Sequence, residues 1–319
     1  MLTDEVLPLI NEAANRVYSL VRETPLVSLG TDALQINANS AFAKLEQLQL
    51  SGSFKLRGAT NKLMSLEPSA AAAGVIASST GNHGLGVATA ARFLGIDAEV
   101  FLSAQVSPAR REKIREHGAR IRIVGDDPLA AELAARVAAR ESGRTYVSPY
   151  NDPHVVAGQG TIAVEIMRQL PDLDAIFIAT GGGGLISGIG SYLRHRAPNC
   201  EIIGCWPANS AVLYECIKAG RIVVAPEKPT LSESTAGGVE SGSITFGLCR
   251  QVMHRGVLVS EAEILRAMRW GHAQGWAMEG AGGVALGAYF KEAARYAGKK
   301  IVVLICGGNP SPAVAELMR

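Results

Sequence analysis

The chain has 319 residues, 48% of them hydrophobic and 19% charged, with a formal net charge of +2. Length and apolar content predict a large core shared between two lobes. The near-neutral charge, with aromatics at only 5%, offers no basic surface for a nucleic-acid partner. Residues 1–5 are acidic and lack the basic and apolar regions of a signal peptide, and no apolar run is long enough to span a bilayer. The cysteines at 200, 205, 216, 249 and 306 are odd in number, widely spaced and without a CxxC pair. They suggest neither a zinc site nor a disulfide framework, and fit reduced thiols in a cytoplasmic enzyme.

Strand-like apolar runs at 41–46, 75–79, 98–102, 121–124, 175–179, 202–206, 256–260 and 301–305 alternate with helical patterns at 83–94, 108–117, 129–140, 155–170 and 261–274. The alternation predicts α/β layers with a mostly parallel sheet, and the solidly apolar runs predict sheets covered on both faces. Two softer breaks, an alanine-rich stretch at 70–73 and the turn-forming stretch 148–153, bracket three strand–helix units. Residues 65–149 are therefore expected to form a small lobe. Residues 1–64 and 150–319 are expected to form a larger one.

In the stretch 51–59, a glycine-broken polar turn runs into a helical pattern with Lys55 on its first turn. An ammonium is disfavoured at that end of the helix dipole, so the amine should deprotonate more readily. A neutral lysine amine is the nucleophile that forms Schiff bases. Alone, such a lysine reads as a solvated side chain on an ordinary helix, and the rest of the chain reverses that reading.

Ser78, Ser79, Thr80, Gly81, Asn82 and His83 run from the end of the strand at 75–79 into the start of a helix. They offer hydroxyls, amides and a carboxamide suited to a carboxylate and a cofactor hydroxyl, or they simply cap the helix. Gly181, Gly182, Gly183 and Gly184 follow the strand at 175–179 and open the helix at Leu185. Their amides and the helix N-terminus make a phosphate cradle. The run fits neither G-x-G-x-x-G nor a Walker A loop, so a small phosphate-bearing cofactor is preferred to NAD or ATP. Cys306, after the strand at 301–305, offers a weak hydrogen bond to a ring nitrogen, or packs as a small core residue. All three loops follow strands, where ligands of open α/β sheets bind. Together with Lys55 they suit pyridoxal phosphate.

The stretches 51–59, 79–86, 157–161, 181–188, 279–286 and 306–309 come in the order seen in fold-type II pyridoxal-phosphate enzymes. The chain resembles the threonine/serine dehydratase and serine racemase family over nearly its whole length. That resemblance implies a two-lobed, tryptophan synthase β-like fold and a homodimer. It implies that Lys55 carries the cofactor and later moves the α-proton. Phe54 would pack beside the cofactor and Asn82 would bond its ring hydroxyl. Gly181 to Gly184 and the Leu185 amide would hold the phosphate, Gly238 would lie near the ring, and Cys306 would face the ring nitrogen. Ser79, Thr80, Gly81 and His83 would surround the substrate carboxylate. A neutral Cys306 tempers the electron sink and favours β-elimination over transamination.

Some positions depart from the family. Racemases that resemble this chain carry serine where it has Thr80, and many dehydratases carry alanine. Trp206 and Val212 stand where the racemase-like branch has acidic metal ligands, so no metal is expected. Gly237 replaces a frequent aspartate, which together with Thr80 resembles the dehydratase-like enzymes of hydroxyectoine breakdown. The chain ends at Arg319, so no regulatory domain and no feedback by isoleucine are expected. The expected function is an ammonia-lyase acting on L-threonine, L-serine or a related β-hydroxy amino acid. The alternatives are a racemase using Lys55 and Thr80 on opposite faces, a Rossmann-like oxidoreductase, and a non-catalytic binding protein.

Overall fold

The solidly apolar runs become the centres of two separate sheets. A computed structural model describes residues 1–30, 40–79 and 81–318. Helix α1 (Thr3–Arg16) precedes strands β1 (Leu26–Ser28) and β2 (Ala41–Leu45), and helices α2 (Lys55–Met64) and α3 (Pro68–Ala73) follow. The next segment runs β3 (Val75–Ser78), α4 (Asn82–Leu94), β4 (Ala98–Leu102), α5 (Pro108–Glu116), β5 (Arg120–Ile123), α6 (Pro128–Ser142) and β6 (Thr145–Tyr146). Then come α7 (Pro153–Gln169), β7 (Ala175–Ala179), α8 (Gly184–Arg196), β8 (Glu201–Pro207), α9 (Val212–Ala219) and α10 (Ile244–Val252). The chain closes with β9 (Arg255–Val259), α11 (Glu261–Ala273), α12 (Gly280–Glu292), β10 (Ile301–Ile305) and α13 (Pro312–Glu316).

One sheet has four parallel strands in the order β5-β4-β3-β6. The other has six in the order β1-β2-β10-β7-β8-β9, parallel except for β1, which lies antiparallel to β2. The chain leaves the six-stranded sheet after α2 and returns to it through α7. Every residue of β7 and β10 is buried, because helices cover both faces of the sheet. Ile301 of β10 stands opposite both Ala41 and Ala175, so β10 lies between β2 and β7. The loops leaving β7 and β10 therefore emerge side by side at the carboxyl edge, where ligands of such sheets bind.

Local signals explain several helix starts. The Asp152 side chain accepts from the His154 and Val155 amides, with Pro153 as the first residue of α7. Ser260 and Glu263 form a reciprocal capping box on α11. Helix α7 contacts its neighbours backbone to backbone: a Cβ at Gly158 would sit 2.6 Å from the Arg57 carbonyl, and one at Gly188 would sit 2.2 Å from the Val156 carbonyl. Only glycine permits these approaches.

The strands predicted at 98–102, 175–179 and 301–305 match in full, and the others shift at their ends by a residue. Strands β1 and β6 were not foreseen, since two or three residues show no periodicity. Among the described residues no helix is long and apolar enough to cross a membrane. All five cysteines are free and buried.

Candidate active site

Lys55 is the first residue of α2, and the turn before it is fastened to the far end of the chain. Ser53 forms a β-bridge with Gly307, the Phe54 amide donates to the Cys306 carbonyl at 3.0 Å, and the Gly308 amide donates to the Gly52 carbonyl at 2.9 Å. Lys55 Nζ donates to the Pro149 carbonyl at 2.7 Å and stands 5.2 Å from the centre of the Phe54 ring. Burial pulls its pKa down to about 8, against the opposing pull of Cys306 and Glu279. The direction is the one expected from the sequence, but its cause is desolvation by burial.

Beneath this turn, Arg57 anchors α2 from a fully buried position. It pairs with Glu46 at 2.7 Å and Glu165 at 2.6 Å, and Lys44 pairs with Glu165 at 2.6 Å. Two cations thus meet two carboxylates, which leaves no uncompensated charge in the interior.

After β7, residues 181–184 lead into α8 with little room for side chains. A Cβ at Gly181 would lie 3.0 Å from the Thr235 backbone, at Gly182 2.5 Å from the Tyr150 ring, and at Gly184 3.0 Å from Tyr150. Gly183 caps α8 with φ +87°, a left-handed conformation, and a Cβ there would lie 2.7 Å from Cys249 Sγ. Bare backbone at a helix N-terminus is suited to an anion.

These features open into one cavity of about 740 Å³. Phe54, Lys55, Asn82, Gly181, Gly182, Gly183, Gly184, Leu185, Gly238 and Cys306 all line it, so every predicted cofactor contact falls in one place. Burial pushes the Cys306 thiol well above its usual pKa, which keeps it neutral. A phosphate cradle, an amine with a lowered pKa and a neutral thiol around one cavity match the chemistry of pyridoxal phosphate. The residues present fit that group.

An adjoining cavity of about 210 Å³ shares Lys55, Asn82 and Glu279 with the first, and Ser79, Gly81 and His83 line it. The Gly81 amide donates to Ser79 Oγ at 3.2 Å. His83 lies 2.8 Å from the Val147 carbonyl through Nε2, and burial, with Lys55 nearby, lowers its pKa to about 3. The ring is therefore neutral, Nε2 carries the proton, and His83 brings no positive charge to a carboxylate. Thr80 lies outside the described residues.

Other residues line the cavity without a sequence signal of their own. Glu279 accepts from Asn82 Nδ2, Ser234 Oγ and the Asn309 amide. It opens the matched stretch 279–286, which was the only hint of it. Tyr150 covers the glycine loop from the stretch 148–153, which reads in the sequence only as a turn.

Residues 17–307 match the family model described as "Pyridoxal-phosphate dependent enzyme". The chain belongs to this family. It is a fold-type II pyridoxal-phosphate enzyme of the threonine dehydratase and serine racemase group. It is 35% identical to the L-threonine ammonia-lyase of Thermotoga maritima over 301 residues, which cover 94% of this chain and 74% of that protein. Among solved structures it is similar to the processed form of threonine deaminase isoform 2 from Solanum lycopersicum, with a TM-score of 0.92, 31% identity, and coverage of 98% and 93%. It is also similar to maize serine racemase, with a TM-score of 0.91, 26% identity, and coverage of 97% and 95%. The pyridoxal-phosphate family thus supplies both the fold and the cofactor.

Proposed function

We propose that this chain is an ammonia-lyase that converts L-threonine, L-serine or a related β-hydroxy amino acid to a 2-oxo acid and ammonia. One observation carries the reading: the Lys55 amine, the glycine cradle and a neutral Cys306 face one cavity. Identity to L-threonine ammonia-lyases over most of the chain supports the reaction class.

In this reading Lys55 attaches the cofactor through its amine. The amides of Gly181 to Gly184 and Leu185 hold the phosphate. Asn82 would bond the ring hydroxyl, Phe54 and Gly238 would flank the ring, and Cys306 would face its nitrogen. Pyridoxal phosphate, when bound, supplies an electron sink for the charge left as the Cα–H bond breaks. Ser79, Thr80, Gly81 and His83 surround the substrate carboxylate and orient that bond toward Lys55. Lys55, with its pKa lowered to about 8, takes the α-proton as its neutral amine, the form that prevails above that pH. A neutral Cys306 thiol would donate only weakly to the ring nitrogen, which would favour prompt loss of the β-hydroxyl.

Thr80 as a second base would instead make the enzyme a racemase, and the likeness to maize serine racemase favours testing this. Purified protein given L-serine and L-threonine should release pyruvate and 2-oxobutanoate. D-serine as the main product would replace the lyase reading with the racemase one. We further propose a cytoplasmic homodimer, with residues 65–149 as its small lobe. Five free, buried thiols support the compartment, and sedimentation checks the assembly.

A further inference from the structure

The carbonyls of the glycine loop are held from behind by helix α10, whose residues do not line the cavity. Thr245 is fully buried and donates through Oγ1 to the Gly182 carbonyl at 2.6 Å. Ser243 Oγ lies 2.7 Å from the same Thr245 oxygen. A carbonyl only accepts, so the Thr245 proton goes to Gly182 and the Ser243 hydroxyl donates to Thr245. The next carbonyl, of Gly183, accepts from the Ser187 amide at 3.0 Å, with Cys249 Sγ 3.7 Å away.

In a planar trans peptide the N–H points opposite to the C=O. A Gly182 carbonyl drawn toward α10 therefore directs the Gly183 amide away from α10 and into the cavity. Glycine on both sides gives this peptide little resistance of its own to turning over. A turned peptide would aim a carbonyl oxygen at the bound anion.

We propose that Thr245, backed by Ser243, is a positioning residue for the phosphate cradle: its hydroxyl locks the Gly182–Gly183 peptide with the amide toward the anion. The proposal rests on the cradle reading given above. Its test keeps the two apart.

Cofactor-free protein is titrated with pyridoxal phosphate and, separately, with pyridoxal, which lacks the phosphate, following the absorbance of the lysine-bound cofactor. The unmodified chain must prefer the phosphorylated form, and absence of that preference sinks the cradle reading itself. Thr245→Val keeps the side-chain shape but removes the donor. It should weaken pyridoxal phosphate binding about tenfold, the loss of one buried hydrogen bond, and leave pyridoxal binding unchanged. Thr245→Ser should recover the affinity. Ser243→Ala, a milder change that serves if the valine variant fails to fold, should weaken only the phosphorylated form, about two- to threefold. Equal losses for both ligands, or no loss in either variant, overturns the proposal.

Discussion

Asn82 and Glu279 face each other across the cavity wall, with Asn82 Nδ2 2.8 Å from both carboxylate oxygens of Glu279. Asn82 Oδ1 in turn accepts from Asn309 Nδ2 at 2.7 Å. These bonds fix which end of the carboxamide is nitrogen and which is oxygen. Glu279 thereby orients the group proposed to meet the cofactor's ring hydroxyl.

Glu279→Gln would set a second amide nitrogen against Asn82 or turn the carboxamide over. A mispaired buried polar group costs about 1–3 kcal/mol. Turnover should therefore fall about tenfold or more, with a shifted absorbance of the bound cofactor. Steady-state kinetics and the visible spectrum check this together. Unchanged values in both would remove Glu279 from the site.

A pKa near 8 gives Lys55 a specific pH signature. The amine is protonated below that value and neutral above it, whereas an ordinary lysine stays protonated to about 10.5. The rate of cofactor attachment to the cofactor-free protein should therefore rise with pH to a midpoint near 8. Stopped-flow absorbance measures it, and a midpoint near the ordinary lysine value would contradict the burial argument. Lys55→Ala should abolish both the attachment and turnover.

Gly182→Ala drives a methyl to 2.5 Å from the Tyr150 ring, and Gly183→Ala adds a side chain at φ +87° beside Cys249. Either variant should lose cofactor on dialysis, with an affinity at least about tenfold lower, the equivalent of about 1.4 kcal/mol. Retention equal to that of the unmodified chain would show that the loop yields.

Arg57→Leu removes the buried cation that faces both Glu46 and Glu165. Unfolding free energy should drop by about 3–5 kcal/mol, because the two carboxylates then face one remaining cation, Lys44. Urea denaturation gives the number directly. A drop below about 1 kcal/mol would mean that water or protonation relieves the pair.

The parts of the site that a sequence displays are those where chain geometry forces residue choice. A side chain at 182 or 183 would strike the Tyr150 ring or Cys249, and one at 181 or 184 would press on Thr235 or Tyr150, so the glycine run is conspicuous. Lys55 and Asn82 stand at helix starts that follow polar, glycine-broken turns, so their positions were readable as well. Tyr150, Ser234 and Thr245 gave no signal, because each lies in a stretch with no constraint visible from its neighbours. Their partners are brought by the fold from far along the chain: Gly182 for Thr245, Glu279 for Ser234. The charge of His83 was not readable from its neighbours, because it depends on burial and on the Val147 carbonyl. The sheets were legible in their apolar centres and illegible at β1 and β6, where short strands are defined by their partners alone.

The bridge between Ser53 and Gly307 joins the segment that presents Lys55 to the one that carries Cys306. These positions lie near opposite ends of the chain, and the loop they close encloses all of the four-stranded sheet and most of the six-stranded one. Such long-range closure is unfavourable until most other contacts exist, so it belongs late in assembly. Attachment of the cofactor to Lys55 should then mark completion of the native state, lagging behind the recovery of helical circular dichroism when the chain refolds from urea.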